Sequence, residues 1–421
     1  MSTVEKDLTR RNVEQARNNP ELQNLREREQ TLVPKTPDFL DAFKSMTIPY
    51  KDAYLSHPEE EFSLRVRAKY TAEGVEYSAA LKDEGEMVDE ALDRFELSTE
   101  ISQETYERYA NDDMFPDVKF LRAEPLGCLA IDFIEGVEMP RVEYEFSPGD
   151  EEPAFVTFLK TGLVDMSNEK SVRKEYIAHM LHGSETLKPS GEKIEDFAHR
   201  VFNDMVATYA MGHKQVVVGL SGMSGSGKST AVRALTERFA ETFGKEFTPI
   251  VLSSDDYHRG KKWLENEYGA PWTNWDDSRV YNTAELAEDI ERLENGESIM
   301  RKHFDFATEE VVYDEEVAPT PFIIIEGLYA GSPDLKSVRH LHYEVPTGIA
   351  TSIGRDVRRL ALEHRGNGSI GTPKDRLRYA LETALPTYLE QQKPGRNSFA
   401  AYCRPMAERA FMLDRLTTPS K

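Results

Sequence analysis

Cysteine is almost absent from this chain: two among 421 residues, Cys128 and Cys403. They lie far apart and without metal-ligand spacing, so neither a disulfide framework nor a zinc site is implied, and a reducing, cytoplasmic setting is expected. Long apolar runs are also missing. None approaches the roughly 20 residues that span a bilayer, and the opening "MSTVEKDLTRRNVEQARNNPELQNLREREQ" is polar throughout, with no signal peptide visible. Positive charge is scarce, with 52 Lys and Arg against 75 Asp and Glu and a formal charge of -23. Nucleic acid and anionic membranes are gripped by dense Lys/Arg surfaces, so neither is an expected partner; a phosphate ligand has to be caught in local positive pockets. No internal repeat or low-complexity tract is found. What remains is a globular composition, 39% hydrophobic and 30% charged, on a chain long enough for two or three domains with their own cores.

Residues 1–20 lack apolar periodicity and read as a tail. Over 21–185, "FSLRVRAKY", "VEYSAALK", "RFELSTEI", "DVKFLRAE", "CLAIDFIEG" and "PRVEYEF" read as half-buried antiparallel strands. Residues two apart on a strand share a face. Arg65 with Arg67, Arg94 with Glu96, and Glu143 with Glu145 therefore put charges of both signs on one sheet face, which by pattern alone reads as a solvated outer surface. In the segment 186–213, Ile194, Phe197, Val201, Phe202, Met205 and Tyr209 recur at helical spacing, as in a connecting helix. From 214 to 421, the strand-like "VVVGL", "PIVLSS", "PFIIIEGL" and "HLHYEV" alternate with helical runs, the pattern of a parallel sheet covered on both faces.

The stretch "VVVGLSGMSGSGKST" fits G-x-x-x-x-G-K-[ST] through Gly222, Gly227, Lys228 and Ser229, with a strand before it and a helix after. Small residues let backbone N–H groups curl around phosphate oxygens, and the helix adds its positive end. Gly222, Ser224, Gly225, Ser226, Gly227 and Thr230 would form the cradle. Lys228 would reach the β and γ phosphates, and Ser229 would join the shell of a bridging Mg²⁺. ATP with Mg²⁺ is the expected occupant.

Chemistry in an open parallel sheet gathers at the carboxyl ends of its strands. "PIVLSSDDYHRG" delivers Asp255, Asp256 and His258 there, and "PFIIIEGLY" delivers Glu326. Moving a phosphoryl group to an alcohol needs a carboxylate that accepts the hydroxyl proton and an acid that orders the metal. Asp255 is the candidate base and Glu326 the metal-shell acid. Farther on, Arg355, Arg358 and Arg359 share a helix face, with Arg365 near the helix end; they read either as a lid over the triphosphate or as a solvated helix paired with Asp356 and Glu363. Tyr268, Trp272 and Trp275 read as rim packing.

"GMSGSGKST", "LSSDDYHRG", "NWDDSRVYN", "HFDFATEE", "IIIEGLY", "GRDVRRLALEHRG" and "ALPTYLEQQK" together resemble the uridine kinase and phosphoribulokinase family, over nearly all of 214–395. The resemblance implies an α/β P-loop NTPase domain with a parallel sheet that phosphorylates a small-molecule hydroxyl. It implies Asp255 as the catalytic aspartate, Asp276 and Asp305 in the acceptor pocket, and Arg365 in the lid. "DDYHRG" resembles the phosphoribulokinase version of its loop, which puts His258 beside the acceptor.

The first half resembles a CYTH, or triphosphate tunnel, domain: an α+β antiparallel closed barrel that holds triphosphate or a related polyphosphate with divalent metal. The segments "YLSHPEEEFSLRVRAKY", "YSAALK", "RFELSTEI", "VKFLRAE", "LAIDFIEG", "VEYEF" and "LVDMSNEKSVRKEYIAHML" carry it. It implies Arg65, Arg67, Lys82, Arg94, Lys119 and Arg122 on the phosphates, and Glu96, Asp132, Glu143 and Glu145 for metal and charge balance. Thr31 stands where the family has lysine after Glu27 and Glu29, and Ser98 where it has a glutamate. The chain also resembles plant fusions of the two domains, in reversed order.

These readings favour an ATP-dependent kinase of a nucleoside such as uridine or cytidine, with a phosphate-binding barrel. The alternatives are a metal-dependent triphosphatase or pyrophosphatase in the barrel, and a nucleotide or polyphosphate sensor. Oligomerisation is left open.

Overall fold

The computed structural model describes residues 25–113, 115–147, 149–183, 192–305, 310–363 and 371–392. They divide into two compact units. The first holds the described residues up to 183 together with 349–363 and 371–378; the second holds 192–305, 310–348 and 379–392. The expected division set 186–213 apart as a connecting helix and gave all of 214–421 to one domain; here the connecting helix clusters with the second unit and the arginine helix with the first.

The first unit is built on ten strands: β1 (Arg26–Pro34), β2 (Ile48–Tyr54), β3 (Phe62–Thr71), β4 (Gly74–Asp83), β5 (Glu86–Val88), β6 (Ala91–Glu100), β7 (Asp117–Leu126), β8 (Leu129–Ile134), β9 (Arg141–Phe146) and β10 (Leu163–Asp165). Eight of them run β1-β9-β8-β7-β2-β3-β4-β6 and return to β1, closing an antiparallel barrel, with β5 and β10 on its flanks. Strands β1 and β2 are not apparent from hydrophobic alternation, since β1 reads "REREQTLVP". Both are required for closure.

Strand β3 shows how the barrel is turned. Phe62, Leu64, Val66 and Ala68 are buried on one face, while Arg65 and Arg67 on the other line an internal cavity. The two-signed face expected at the surface is thus enclosed, and the apolar face is covered from outside. Helices α1 (Gln103–Ala110) and α2 (Ala154–Lys160) help to cover it, whereas α3 (Lys174–His182) packs against the inward face, since Tyr50, Phe120 and Ile134 lie two residues from Asp52, Arg122 and Asp132. Val156 and Leu159 of α2 join Leu32, Leu129, Ile131 and Val142 in one cluster, and Ile177 and Ala178 of α3 join Tyr50, Val118, Phe120 and Ile134 in another.

In the second unit, α4 (Ile194–Ala210), β11 (Val216–Ser221), α5 (Lys228–Phe243), β12 (Ile250–Ser253), α6 (Lys261–Tyr268), α7 (Thr283–Glu294), a hairpin of β13 (Ile299–Asp305) and β14 (Glu310–Val317), β15 (Phe322–Glu326) and β16 (Leu341–Glu344) follow in order. Four strands pair in parallel as β12-β15-β11-β16. Period-two burial serves both faces: Val216, Val218, Leu220 and Ile324 pack with α4 and α5, whereas Val217, Ile323 and Ile325 pack with Leu286 and Ile290 of α7. The expected connecting helix is therefore a core element of this unit. The antiparallel β13–β14 hairpin was not expected from the strand pattern.

Helices α8 (Ile349–Glu363) and α9 (Pro373–Tyr379) follow β16. No helix among the described residues is long and apolar enough to cross a membrane.

Candidate functional site

The phosphate loop lies between β11 and α5. Gly222, Gly225 and Gly227 all have positive φ. At Gly222 a Cβ would also fall 2.7 Å from the Ser226 Oγ, so the turn requires glycine for space as well as for conformation. Ser226 is buried with its Oγ unpartnered, Ser224 and Thr230 are partly exposed, and Ser229 is exposed in the first turn of α5. Lys228 curls back over the loop, its Nζ donating to the carbonyls of Gly222 at 2.9 Å and Met223 at 3.0 Å.

Parallel pairing sets Ser253 opposite Glu326, and Glu326 opposite Leu220 near the start of the loop. The Ser253 Oγ donates to Glu326 Oε1 at 3.0 Å and accepts the Asp255 N–H at 3.3 Å. Burial, then the Glu326 carboxylate, pushes the Asp255 carboxyl up to about 6, with Lys228 pulling the other way. Two half-buried acids that repel each other beside a single ammonium are short of positive charge, and a hydroxyl with carboxylates is the hard oxygen donor set that suits Mg²⁺. Ser229 and Glu326 fit the role of holding it.

Beside these acids is a ring of aromatic and phenolic groups. His258 lies between Trp275 and Phe304, with ring centres 5.4 and 4.1 Å away, and its Nδ1 accepts the Gly260 N–H at 3.0 Å. Burial lowers its pKa to about 4, so the imidazole is neutral at physiological pH. The Tyr379 hydroxyl donates to Asp276 Oδ2 at 2.6 Å, and the Tyr329 hydroxyl donates to the Asp276 carbonyl at 2.7 Å. Burial and the charges of Asp255 and Asp276 push the Tyr281 phenol well above its ordinary range. Asp305 ends β13, paired in register with Glu310. Sequence reasoning missed Tyr281, Tyr329 and Tyr379, and kept Trp275 off the site; tyrosines scattered over about a hundred residues carry no motif.

The barrel encloses a cavity of about 280 Å³ lined by Arg65, Arg67, Lys82, Arg94, Arg122, Arg141, Arg173 and Lys174, and by as many acids. Buried Asp52 takes Arg67 in a fork, Nε at 2.7 Å and Nη2 at 2.9 Å, and Arg65 at 2.8 Å. Asp132, also buried, takes Arg122 at 2.6 and 2.8 Å and Lys174 at 2.8 Å. Lys82 bridges Glu27 and Glu96, each at 2.9 Å, and Arg94 meets Glu29 at 2.7 Å. Burial raises Glu29, but Arg94 and Lys82 outweigh it and hold the carboxyl at about 2. Glu145, by contrast, is lifted to about 7 by burial and then by Glu27. At the position of the missing lysine, Thr31 Oγ1 accepts a hydrogen bond from Arg141 Nη2 at 3.3 Å.

One expectation needs correction, that of Lys119, and several other expected site residues meet partners within the protein. Lys119 is exposed on the outside of the barrel, because it is three residues from inward-facing Arg122 and an odd offset on a strand reverses the face. Glu96 and Glu143 are neutralised by Lys82 and by Arg122, Arg141 and Lys174; among the described residues no three His, Cys, Asp or Glu side chains stand together as a metal-ligand set, Glu145 included. Arg355 pairs with Glu61 at 2.7 Å and Arg359 with Asp356 at 2.9 Å, both within the barrel unit. Arg365 lies outside the described residues. Arg141, Arg173, Lys174 and Glu60, which line the cavity, and Asp52, which holds Arg65 and Arg67, were missed, since barrel closure or the approach of α3 brings them together.

Residues 217–346 match the Phosphoribulokinase / Uridine kinase family. A uridine kinase of Clostridium perfringens is 24% identical over 197 residues, 46% of this chain and 86% of the relative. A phosphoribulokinase of Synechocystis is 35% identical over 114 residues, 27% of this chain and 32% of the relative. A solved inorganic triphosphatase, 18% identical, covers 36% of this chain and 93% of its own, with a TM-score of 0.21; the closed barrel itself, rather than this likeness, carries the first unit's fold. Residues 217–346 thus match the Phosphoribulokinase / Uridine kinase family, and a closed antiparallel barrel precedes them.

Proposed function

We propose that this protein is an ATP-dependent kinase that transfers the γ-phosphoryl group to a hydroxyl of a small molecule, with a nucleoside such as uridine or cytidine as the leading acceptor. The observation that carries the reading is the place of the half-buried Asp255 carboxyl, just past the end of β12 beside Glu326 and the glycine loop, where burial and Glu326 raise it to about 6. Such a group is ionised at neutral pH yet basic enough to take a hydroxyl proton. The loop N–H groups and Lys228 would hold the triphosphate, and Ser229 with Glu326 would hold Mg²⁺. When bound, the ion would offset charge on the phosphates. Asp276, Asp305 and the neutral His258 would form the acceptor's polar contacts, against the faces of Trp275 and Phe304. Arg355 and Arg359 would serve the triphosphate after exchanging their present carboxylate partners for it. The test is a panel of nucleosides and sugars incubated with labelled ATP, with product identification. Transfer above the hydrolysis background is expected; its absence for every acceptor, or its survival in Asp255→Asn, would remove the assignment.

In the same reading the barrel cavity binds a small polyphosphate. Hydrolysis there is the second reading, favoured by one feature: Glu145 at about 7, near Glu27, whose Oε1 is buried without a hydrogen-bond partner. Divalent-metal-dependent phosphate release from inorganic triphosphate, lost in Arg173→Ala, would support it.

A further inference from the structure

Three carboxylates of the barrel cavity have a second task. Glu60, Glu61 and Asp83 line the cavity, and each also engages α8. Glu60 Oε2 accepts the Thr351 N–H at 2.9 Å and the Thr351 hydroxyl at 3.1 Å; Glu61 takes Arg355, and Asp83 meets Arg358 at 3.9 Å. The fit is close, since a Cβ at Gly354 would fall 2.3 Å from the Phe62 ring. Four residues before Thr351, the Thr347 hydroxyl donates to the Ser226 carbonyl of the phosphate loop at 2.6 Å. Thr347, bonded within the second unit, and Thr351, bonded within the first, are thus four residues apart in the chain.

Arg173 supplies the entry point. Among the described residues it is the cavity cation without an ion-paired carboxylate, and its buried Nε has no hydrogen-bond partner. An anion can meet this guanidinium without first displacing an acid. Arg355 and Arg358 lie three apart on one face of α8, seated on acids of the cavity wall. A multiply charged anion behind those acids adds to the pull on both guanidiniums in a poorly screened interior.

We propose that the barrel cavity is an effector site for the phosphate loop: a small condensed phosphate, seated against Arg173, holds α8 on the barrel and so weakens nucleotide binding at the loop. This rests on the nucleotide-binding reading above, in which Arg355 serves the triphosphate. By linkage, nucleotide weakens the anion by the same factor.

The full-length chain is titrated with a fluorescent ATP analogue with and without inorganic tripolyphosphate, and amide exchange in α8 is followed by mass spectrometry. Tripolyphosphate should raise protection over 349–363 and raise the nucleotide Kd about fivefold or more. In Arg173→Ala, and separately in Arg355→Ala/Arg358→Ala, that ratio should fall close to one. Arg173 leaves no orphaned acid and the α8 arginines are partly exposed, so both variants should fold; a melting curve checks this. Equal weakening in all three proteins would mean direct competition at the loop and overturns the proposal, as does unchanged exchange in α8. If α8 is protected yet the analogue does not bind, the nucleotide reading itself fails and the effector role falls with it.

Discussion

The loop between β11 and α5 and the barrel cavity both gather positive groups, but from different atoms. The loop offers backbone N–H groups and one ammonium on consecutive residues, 222–230, where small side chains leave the backbone bare. The cavity offers cationic side chains from several strands and α3, nearly all held by buried carboxylates. A site of backbone dipoles needs no compensating charge and can be rigid before its ligand arrives. A cage of buried charges needs its counter-ions to fold, and a ligand must compete with them. The two sites should therefore answer mutation differently.

Four experiments would sharpen or break that contrast. The largest effect is expected at Asp255→Asn, which should lower phosphoryl transfer about 10²–10⁴-fold while leaving the fold intact, read with labelled ATP and the acceptor that the panel identifies. Next comes a stability comparison by chemical denaturation. Arg67→Ala leaves Asp52 buried and short of its fork partner, and should cost about 3–5 kcal/mol. Lys228→Ala, whose ammonium caps only carbonyls, should change stability by about 0.5 kcal/mol or less. Equal costs would mean the two sites are not built differently.

The third experiment uses pH. Burial lifts the Glu60 carboxyl to about 7, against its ordinary 4.5, and hydrogen bonds from Thr351 and His57 oppose the lift only in part. Between those values the unfolded chain has lost a proton that the folded chain keeps. Stability from this group is thus highest below pH 4.5 and falls as pH rises toward 7, by on the order of 3 kcal/mol at most. Glu60→Gln should flatten that part of the stability profile, with the melting temperature of the variant falling less than that of the parent from pH 5 to 7.5. The smallest effect is expected at Lys119→Ala, where titration calorimetry with tripolyphosphate should show affinity within about twofold of the parent.

Legibility in the sequence follows the same division. The placement of the loop between a strand and a helix, and of Asp255 and Glu326 at strand ends, could be read because contiguous residues specify it. The parallel strands could be read because their apolar runs serve two helical layers. In the barrel, alternation revealed six strands but left their inside and outside undecided, and the charged face was assigned to solvent. The error has a physical cause: period two says that Arg65 and Arg67 share a face, not which side of a closed sheet that face becomes. Lys119 failed for a simpler reason, since its offset of three from Arg122 already placed it on the opposite face.

By itself, then, the amino-acid order determined the local chemistry: a glycine turn between a strand and a helix, acids at strand ends, and the spacing of charges along each strand. Tertiary structure alone decided which distant residues share an environment. Closure through β1 and β2 turned the charged face inward, the approach of α3 brought Arg173 and Lys174 to the cavity, and docking on Glu60, Glu61 and Asp83 gave α8 to the barrel rather than to the sheet it follows. Those outcomes depend on which surfaces bury each other, and periodicity along one segment carries no information about the partner that covers it.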